Sequence, residues 1–440
     1  MSNSTIAAIS TAPATGGVAI IRISGPQSLS VAQKIFAPSG KTQVENFSPN
    51  YMYPGHILCD GFKDYGLCVF FKAPRSFTGE DVVELHCHGG IQLSRAVLKA
   101  ALSNGACMAT NGEFTKRAFL NGKLSLASAE GMIDMINASG LAEVRAGAML
   151  YAEKLTNEVN AIQAQLKDIL AGIAADIDYP EEDVASTDLP DLDRRLDAIG
   201  NTIDGMIKGY GTGKKIKSGV TCALCGAPNA GKSSLLNALL GYDKAIVSPL
   251  AGTTRDAVEG SIEIDGIVYN LVDTAGLREQ ADEIEAIGIS IAKKAVQSAD
   301  IILYVCEGEY TPLDGVAEDD PRLIKIYNKC DISPARMEQF DISVSAKTGE
   351  NLDKLKSLMA SKAVGEGGLS GAYVIEQRHY EALCRASMSL KNAASAIGLF
   401  PLDIISLDIN DAWSALGEIT GETANEEIIA NVFAKFCVGK

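Results

Sequence analysis

The sequence predicts a multi-domain protein of mixed α+β and α/β class: an N-terminal α+β domain, then a discontinuous all-helical domain with an α/β domain inserted in it. Three observations point there. The 440 residues suffice for about three domains at roughly 150 residues each. Short, glycine-bounded, β-rich runs dominate up to residue 120. From 121 onward an Ala-, Leu- and Glu-rich helical texture takes over, gives way between about 220 and 360 to alternating strands and helices, and then resumes.

Taken in order, TIAAISTA, GGVAIIRISG, YGLCVFFKA and DVVELHCHGG read as strands, with SLSVAQKIF and IQLSRAVLKAALSNG as helices. Residues 121–178 carry apolar side chains at a spacing near 3.6, the mark of long amphipathic helices. YPEEDVASTDLPDLD reads as a solvated loop, since residues 176–193 hold eight acids and no base. A helix follows near DRRLDAIGNTIDGMI. GYGTGKKIKSG (209–219) and GEGGLSG (365–371) read as the two boundaries of the insertion. The expected domains are therefore 1–120, 121–215, 216–365 and 366–440, the second and fourth forming one helical body.

The net charge is −16, from 39 Lys and Arg against 55 Asp and Glu, which excludes a histone-like or basic-arm nucleic-acid binder but not one local RNA patch. The acidity is uneven: residues 1–120 have a balance of +3, so the remainder is far more acidic. The ten cysteines form no metal-type CxxC pair, and no leader pattern precedes them, so a reducing cytoplasm is expected. No uninterrupted apolar stretch of about 18 residues occurs, so no membrane span is expected. His86 and His88 share one strand face without a third ligand, and Cys222 and Cys225 lie on opposite faces, so neither pair reads as a metal or redox site.

The strongest motif is GAPNAGKS, Gly226 to Ser233, between the apolar runs GVTCALC and SLLNALL. It is the GxxxxGK[ST] phosphate-binding pattern in its strand–loop–helix setting. Gly226 and Gly231 let backbone N–H groups face phosphates, and the helix N-terminus adds its dipole. Lys232 reaches the β and γ phosphates, and the Ser233 hydroxyl ligates Mg²⁺. Gly252-Thr253-Thr254-Arg255-Asp256 supplies Thr254 as a second Mg²⁺ ligand, and Asp273-Thr274-Ala275-Gly276 ends the run YNLVDTAG with a Gly N–H that senses the γ-phosphate. Asn328-Lys329-Cys330-Asp331 ends LIKIYN; its Asp accepts from guanine N1–H and N2–H₂, a donor pair adenine lacks. Ser345-Ala346-Lys347 follows FDISV and faces the guanine O6 side. Four such segments in order after a phosphate loop predict GTP binding. Leu277 stands where Ras-like GTPases place a water-orienting Gln. Arg278, Glu279, Asp282, Glu283 and Glu285 follow it, and the residues alone do not choose among them.

These motifs, with others along the chain, resemble the MnmE (TrmE) family of GTPases that modify the tRNA wobble uridine. The resemblance spans essentially the whole length: RISG (22–25), FTGEDVVELHCHGG (77–90), GEFTKRAFLNGKL (112–124), GAPNAGKSSLLNAL (226–239), SPLAGTTRD (248–256), DTAGLRE (273–279), GEITGE (417–422) and FCVGK (436–440). It implies a folate-binding and dimerising N-terminal domain, a discontinuous helical domain and an inserted Ras-like P-loop GTPase domain. It also implies a homodimer that acts on tRNA with an FAD- and NADH-dependent partner, MnmG (GidA), the FAD residing on that partner. The modification is C5 carboxymethylaminomethyl or aminomethyl, with 5-formyl- or methylene-tetrahydrofolate as one-carbon donor.

Carried over by position, the resemblance implies that Asn229, Ala230, Gly231, Lys232, Ser233 and Ser234 hold GTP. So do Ser248, Pro249, Leu250, Ala251, Gly252, Thr253 and Thr254, then Asp273, Thr274, Ala275 and Gly276, and finally Asn328, Lys329, Asp331, Ser345, Ala346 and Lys347. Mg²⁺ falls to Ser233 and Thr254, and K⁺ to Asn229, Ser248, Leu250 and Thr253. Catalysis falls to Glu285 as water-orienting acid, with Lys232 and Thr254. Folate falls to Arg22, Glu84, Lys123 and Lys440. Cys437 matches the family's terminal cysteine, for which a catalytic role and a buried helix-face position both stand open. Asp408 and Asn410 depart from the family, which commonly has Arg and Ala there. The alternative reading is a folate-binding regulatory or ribosome-assembly GTPase with no direct part in modification.

Overall fold

The computed structural model describes residues 4–178, 187–242, 260–273, 293–313, 315–333, 337–364 and 373–439. These fall into two compact units, Met1–Ile133 with Tyr151–Gln165 and Trp413–Lys440, and Asp134–Leu150 with Leu166–Ala412.

The first unit is built on strands β1 (Ile6–Ile9), β2 (Val18–Ser24), β3 (Phe36–Pro38), β4 (Met52–Cys59), β5 (Phe62–Phe71), β6 (Val82–His88) and β7 (Cys107–Met108), in sheet order β3-β4-β5-β6-β2-β1-β7. All neighbours are antiparallel except β1 and β7. Alternation in β2 and β6 sends Ile21, Ile23, Val83 and Leu85 to one face, where they pack on Val31 and Ile35 of helix α1 (Ser28–Ile35) and Val97 and Leu98 of α2 (Ile91–Ser103). Ile6, Ala8, Ala109, Phe114 and Phe77 form a smaller core. The strand β4 is absent from the sequence reading because Pro54 and Gly55 interrupt its alternation. Gly55 pairs with Gly66 in register, and a Cβ there would lie 2.4 Å from Ala37 O, so the breaker is what lets three strands lie close.

Residues near 430–439 complete this unit. Helix α3 (Glu113–Leu120) and helix α4 (Leu126–Asn137) are followed much later by the last helix, Glu426–Ala434, whose Asn425 side chain accepts from Ile428 N at 2.8 Å. Val432, Phe433 and Phe436 pack on Leu126, Ala129 and Ile133. Val438 bridges Asn111, and Ser10 Oγ donates to Gly439 O at 3.0 Å.

In the second unit, α5 (Leu141–Tyr151), the part of α6 (Lys154–Asp178) from Leu166 onward and α7 (Leu189–Ser218) precede β8 (Val220–Gly226) and α8 (Lys232–Tyr242). Then come β9 (Gly260–Ile264), β10 (Ile267–Asp273), β11 (Ile301–Cys306), β12 (Leu323–Tyr327), β13 (Ile342–Ser343) and α9 (Leu352–Val364). The sheet order is β13-β12-β11-β8-β10-β9, parallel but for β9. This is the expected α/β pattern. Helices α10 (Gln377–Ala396), α11 (Leu402–Thr420) and α12 (Glu426–Ala434) end the chain. Among the described residues no helix is long and apolar enough to cross a membrane.

Two expectations need correction here. The helix α7 begins at Leu189, inside the stretch read as an acidic loop, with Pro190 in its first turn where the missing N–H costs nothing. It also runs through GYGTGKK to Ser218, so Gly209, Gly211 and Gly213 lie inside the helix and only Gly219, its C-cap, stands where α7 gives way to β8. Buried Leu192, Leu196, Ile199, Ile203 and Met206 before Gly209 and Ile216 after Gly213 anchor the helix, and Tyr210 stacks on Tyr380 of α10 at 4.3 Å between centroids. Gly213 is there for space, because a Cβ would lie 2.2 Å from Val374 O. Residues 179–186, from the acid-rich stretch, and the 365–371 linker lie outside the described residues.

These glycines separate propensity from packing. Gly205 has nothing within 4 Å of its Cβ position. Gly205→Ala is expected to stabilise by up to about 1 kcal/mol, whereas Gly213→Ala is expected to destabilise by about 1–3 kcal/mol through the forced shift of α7 from residue 374. Urea midpoints of the two variants decide it; equal shifts of the same sign would contradict the packing account.

Candidate functional site

The nucleotide motifs gather at the carboxyl ends of the parallel strands, the edge where open α/β sheets take ligands. Where β8 passes into α8, Gly226 has φ +136° and its Cβ would lie 2.0 Å from Val305 O; Gly231 has φ +90° and would meet Asn328 Nδ2 at 2.3 Å. No side chain fits either place. Asn229 takes the left-handed conformation at φ +63°, which Asn tolerates. Lys232 Nζ donates to Gly226 O (3.1 Å) and Ala227 O (2.8 Å), laying the ammonium along the loop. Ser233 Oγ donates to Asp273 Oδ2 at 3.3 Å, which brings a hydroxyl and a carboxylate together at the helix start. Such hard oxygens suit Mg²⁺.

The NKCD and SAK segments are braced onto this loop. Buried Asn328 donates from Nδ2 to Ala230 O (2.9 Å), and its Oδ1 accepts from Ala346 N (3.1 Å). One side chain thus fixes the phosphate loop against the Ser345–Lys347 turn. Lys329, at φ +65°, donates from Nζ to Asn229 O at 3.2 Å and pairs with Glu307 at the end of β11. Ser345 Oγ donates to Asp331 Oδ1 at 2.7 Å, fixing the rotation of that carboxylate. Glu307 escaped the sequence reading because it belongs to no motif; its place one residue past a fully buried strand was the available signal. Cys225, directly before the loop, is a core residue whose thiol burial pushes up to about 12. Ser248, Pro249, Leu250, Ala251, Gly252, Thr253, Thr254, Thr274, Ala275, Gly276 and Glu285 lie outside the described residues, as does Lys440.

A second polar cluster lies on the N-terminal sheet. Arg22 and Glu84 are cross-strand partners in β2 and β6, and Arg22 Nε donates to Glu84 Oε1 at 2.8 Å. His86 Nε2 sits 3.3 Å from Glu84 Oε2, and the Arg22 guanidinium lies over Phe77 (5.3 Å) and Phe114 (5.8 Å). Phe77 and Phe114 were missed, since only the fold brings them in, while His86 was open to the sequence as the residue two along from Glu84 on the same strand face. The loop carrying Phe77 is held by buried Arg117, which donates to Glu80 Oε2 (3.1 Å), Glu113 Oε1 (2.8 Å) and Ser4 O (2.8 Å). Lys123 Nζ donates to Pro74 O at 3.1 Å, on that same loop. Cys437 is corrected: it is exposed and lies beyond the end of α12 at Ala434, not on a buried helix face.

Burial works to raise the Glu84 carboxyl, but His86 and Arg22 outweigh it and hold it below its ordinary value of 4.5. A depressed carboxyl contributes stability above its unfolded-state value and loses it as pH falls through the folded one. Glu84→Gln is therefore expected to cost stability at neutral pH, with the gap to wild type closing as pH drops from 4.5 downward. Denaturant titrations across pH 3 to 7 measure this, and a gap constant with pH would contradict it.

Two family models together span almost the whole chain. Residues 5–123 match the family described as GTP-binding protein TrmE N-terminus, and residues 126–437 match the MnmE helical domain. A tRNA modification GTPase MnmE from Desulforamulus reducens is 36% identical over 469 residues, covering 100% of both chains. One from Neisseria gonorrhoeae is 38% identical over 452 residues, covering 99% of each. Among solved structures, the G domain of the T. maritima FeoB iron transporter covers 33% of this chain and 98% of its own length at 29% identity, with a TM-score of 0.25. On these matches the chain belongs to the MnmE family of tRNA modification GTPases.

Proposed function

We propose that this family member is a K⁺-dependent GTPase that drives or gates C5 carboxymethylaminomethyl or aminomethyl modification of the wobble uridine. It works as a cytoplasmic homodimer with an FAD-bearing MnmG (GidA) partner and a tetrahydrofolate one-carbon donor. The proposed domain limits are 1–120 for the folate unit, 121–215 with 366–440 for the helical body, and 216–365 for the GTPase. The observation that carries the GTPase reading is the Asn328 brace, which makes the phosphate loop and the guanine-reading turn one edge.

The roles follow from chemistry. Lys232 and the loop amides bind the β and γ phosphates, and Asp331, oriented by Ser345, reads guanine. Ser233 and Thr254 are the proposed Mg²⁺ ligands, and the ion would spread the charge of the β and γ oxygens. Asn229, Ser248, Leu250 and Thr253 are the proposed K⁺ ligands, a cation that would supply the neutralising charge an arginine finger supplies elsewhere. Glu285 is the proposed water-orienting acid in place of Leu277. The Arg22–Glu84 pair suits a pterin: its carboxylate can accept from an adjacent amide and amino N–H, with Phe77 and Phe114 at hand to contact a flat ring. Lys123 and Lys440 are the proposed partners of the acidic folate tail.

Two measurements test this. GTP turnover is expected to rise when Na⁺ is replaced by K⁺, and Glu285→Ala to lower kcat by about 100-fold with nucleotide affinity nearly unchanged; equal rates in both salts, or an active variant, would sink the mechanism. Mass analysis of tRNA from cells lacking the gene is expected to show wobble uridine without its C5 substituent, and unchanged modification would refute the function.

A further inference from the structure

In sequence, the β9–β10 hairpin lies between the GTTRD and DTAG motifs. It starts at Gly260, four residues after Asp256 of GTTRD, and ends at Asp273, which accepts from Ser233 Oγ. Its turn is tight: Ile264 pairs directly with Ile267, and Asp265 and Gly266 take φ of +52° and +86°. Such a two-residue turn fixes the register, so the strands cannot slip on one another.

The other end of this hairpin is occupied by a helix start. Ala142 N donates to Gly266 O at 2.8 Å, and Leu141 N donates to Glu263 Oε1 at 3.2 Å. These are the first-turn amides of α5, which have no partner inside their own helix. The approach is close enough that Gly140 could not carry a Cβ, which would lie 2.6 Å from Gly266 O. Beside it, Asn270 of β10 donates from Nδ2 to Ser218 O at the end of α7 (3.4 Å), and Lys217 Nζ donates to Asp134 Oδ1 of α4 (2.7 Å). The hairpin therefore caps α5 from outside the helix, while β10 ends at Asp273 beside Ser233.

We propose that this external cap is the contact through which the nucleotide state reaches the helices, with Glu263, Gly266 and Ala142 as its positioning residues. A displacement of β10 at Asp273 moves the Gly266 carbonyl with it, because the register is locked, and α5 then loses or regains its N-terminal acceptors. The proposal rests on GTP hydrolysis and tRNA modification and not on the K⁺ or folate readings.

The test uses the full chain. Hydrogen exchange at Leu141 and Ala142 is expected to differ by about fivefold or more between the protein with GDP and with a non-hydrolysable GTP analogue. Glu263→Ala is expected to keep kcat for GTP within about twofold while lowering wobble-uridine modification at least about fivefold in cells whose only copy is the variant. Ala142→Pro, which removes the donor at a first-turn position that accepts proline, is expected to act alike. Thermal melting checks that each folds; where Ala142→Pro does not, Glu263→Ala decides. Identical exchange in both nucleotide states, or wild-type modification by Glu263→Ala, overturns the proposal. Failure of the wild-type chain to restore modification would instead count against the function itself.

Discussion

The ammonium of Lys217 holds together the place where the α/β insertion leaves the helices and returns to them. It lies two residues before Gly219, where α7 gives way to β8, and pairs with Asp134 and with Glu376, which stands at the start of α10. Both carboxylates are buried, so removing the cation would leave charge in a poorly solvated place. Burial raises the carboxyl of Glu143 nearby, a sign of how little water the cluster admits. Lys215 adds a bond to Ala363 O at 2.9 Å, and Gly213 lets Val374 come close. With both ends fixed, the insertion is a closed loop whose chain entropy is already reduced, and β8 leaves on a set course toward the phosphate loop.

That course explains why so much function lies along one edge. Parallel strands all finish on the same side, so the GAPNAGKS loop after β8, Asp273 at the end of β10 and the NKCD loop after β12 meet without further design. Asn328 then converts neighbours into a unit, since each of its polar atoms engages a different loop. The N-terminal cluster works differently: Arg22 meets Glu84 by cross-strand register, and a loop fixed by buried Arg117 brings the aromatic side.

The contrast sets what could be read from sequence. The GTP motifs are contiguous and their chemistry is local, so GAPNAGKS and NKCD were legible in full. Arg22 and Glu84 carry no local signal for pairing, and only the family resemblance singled them out for a site; Phe77 and His86 stand in the same motif but carried no site reading. In the fold, alternation and helical spacing located β2, β6 and the long helices, but glycine and proline misled where close packing demanded them. Gly55 hid β4 and Gly213 helped make a helix look like a boundary, both packed too closely for a Cβ, whereas Gly209 and Gly211, with open space around them, misled by composition alone. A glycine selected for the space its missing side chain leaves looks, from sequence, like one selected for a turn.

The seating of residues 432–439 on the N-terminal unit bears on how the protein is made. Val438 pairs with Asn111, Gly439 lies against Ile9, and Phe433 and Phe436 fill the core beside Leu126. On the ribosome, the first strands emerge roughly 400 residues ahead of these partners, which at typical elongation rates is tens of seconds. During that interval the end of β1 and the Leu126 face await segments not yet translated, while the GTPase sheet draws all its strands from residues 220–343 and needs no such wait. The order of completion in the cell therefore runs against the order of the chain, with the domain in the middle finished before the one that begins it.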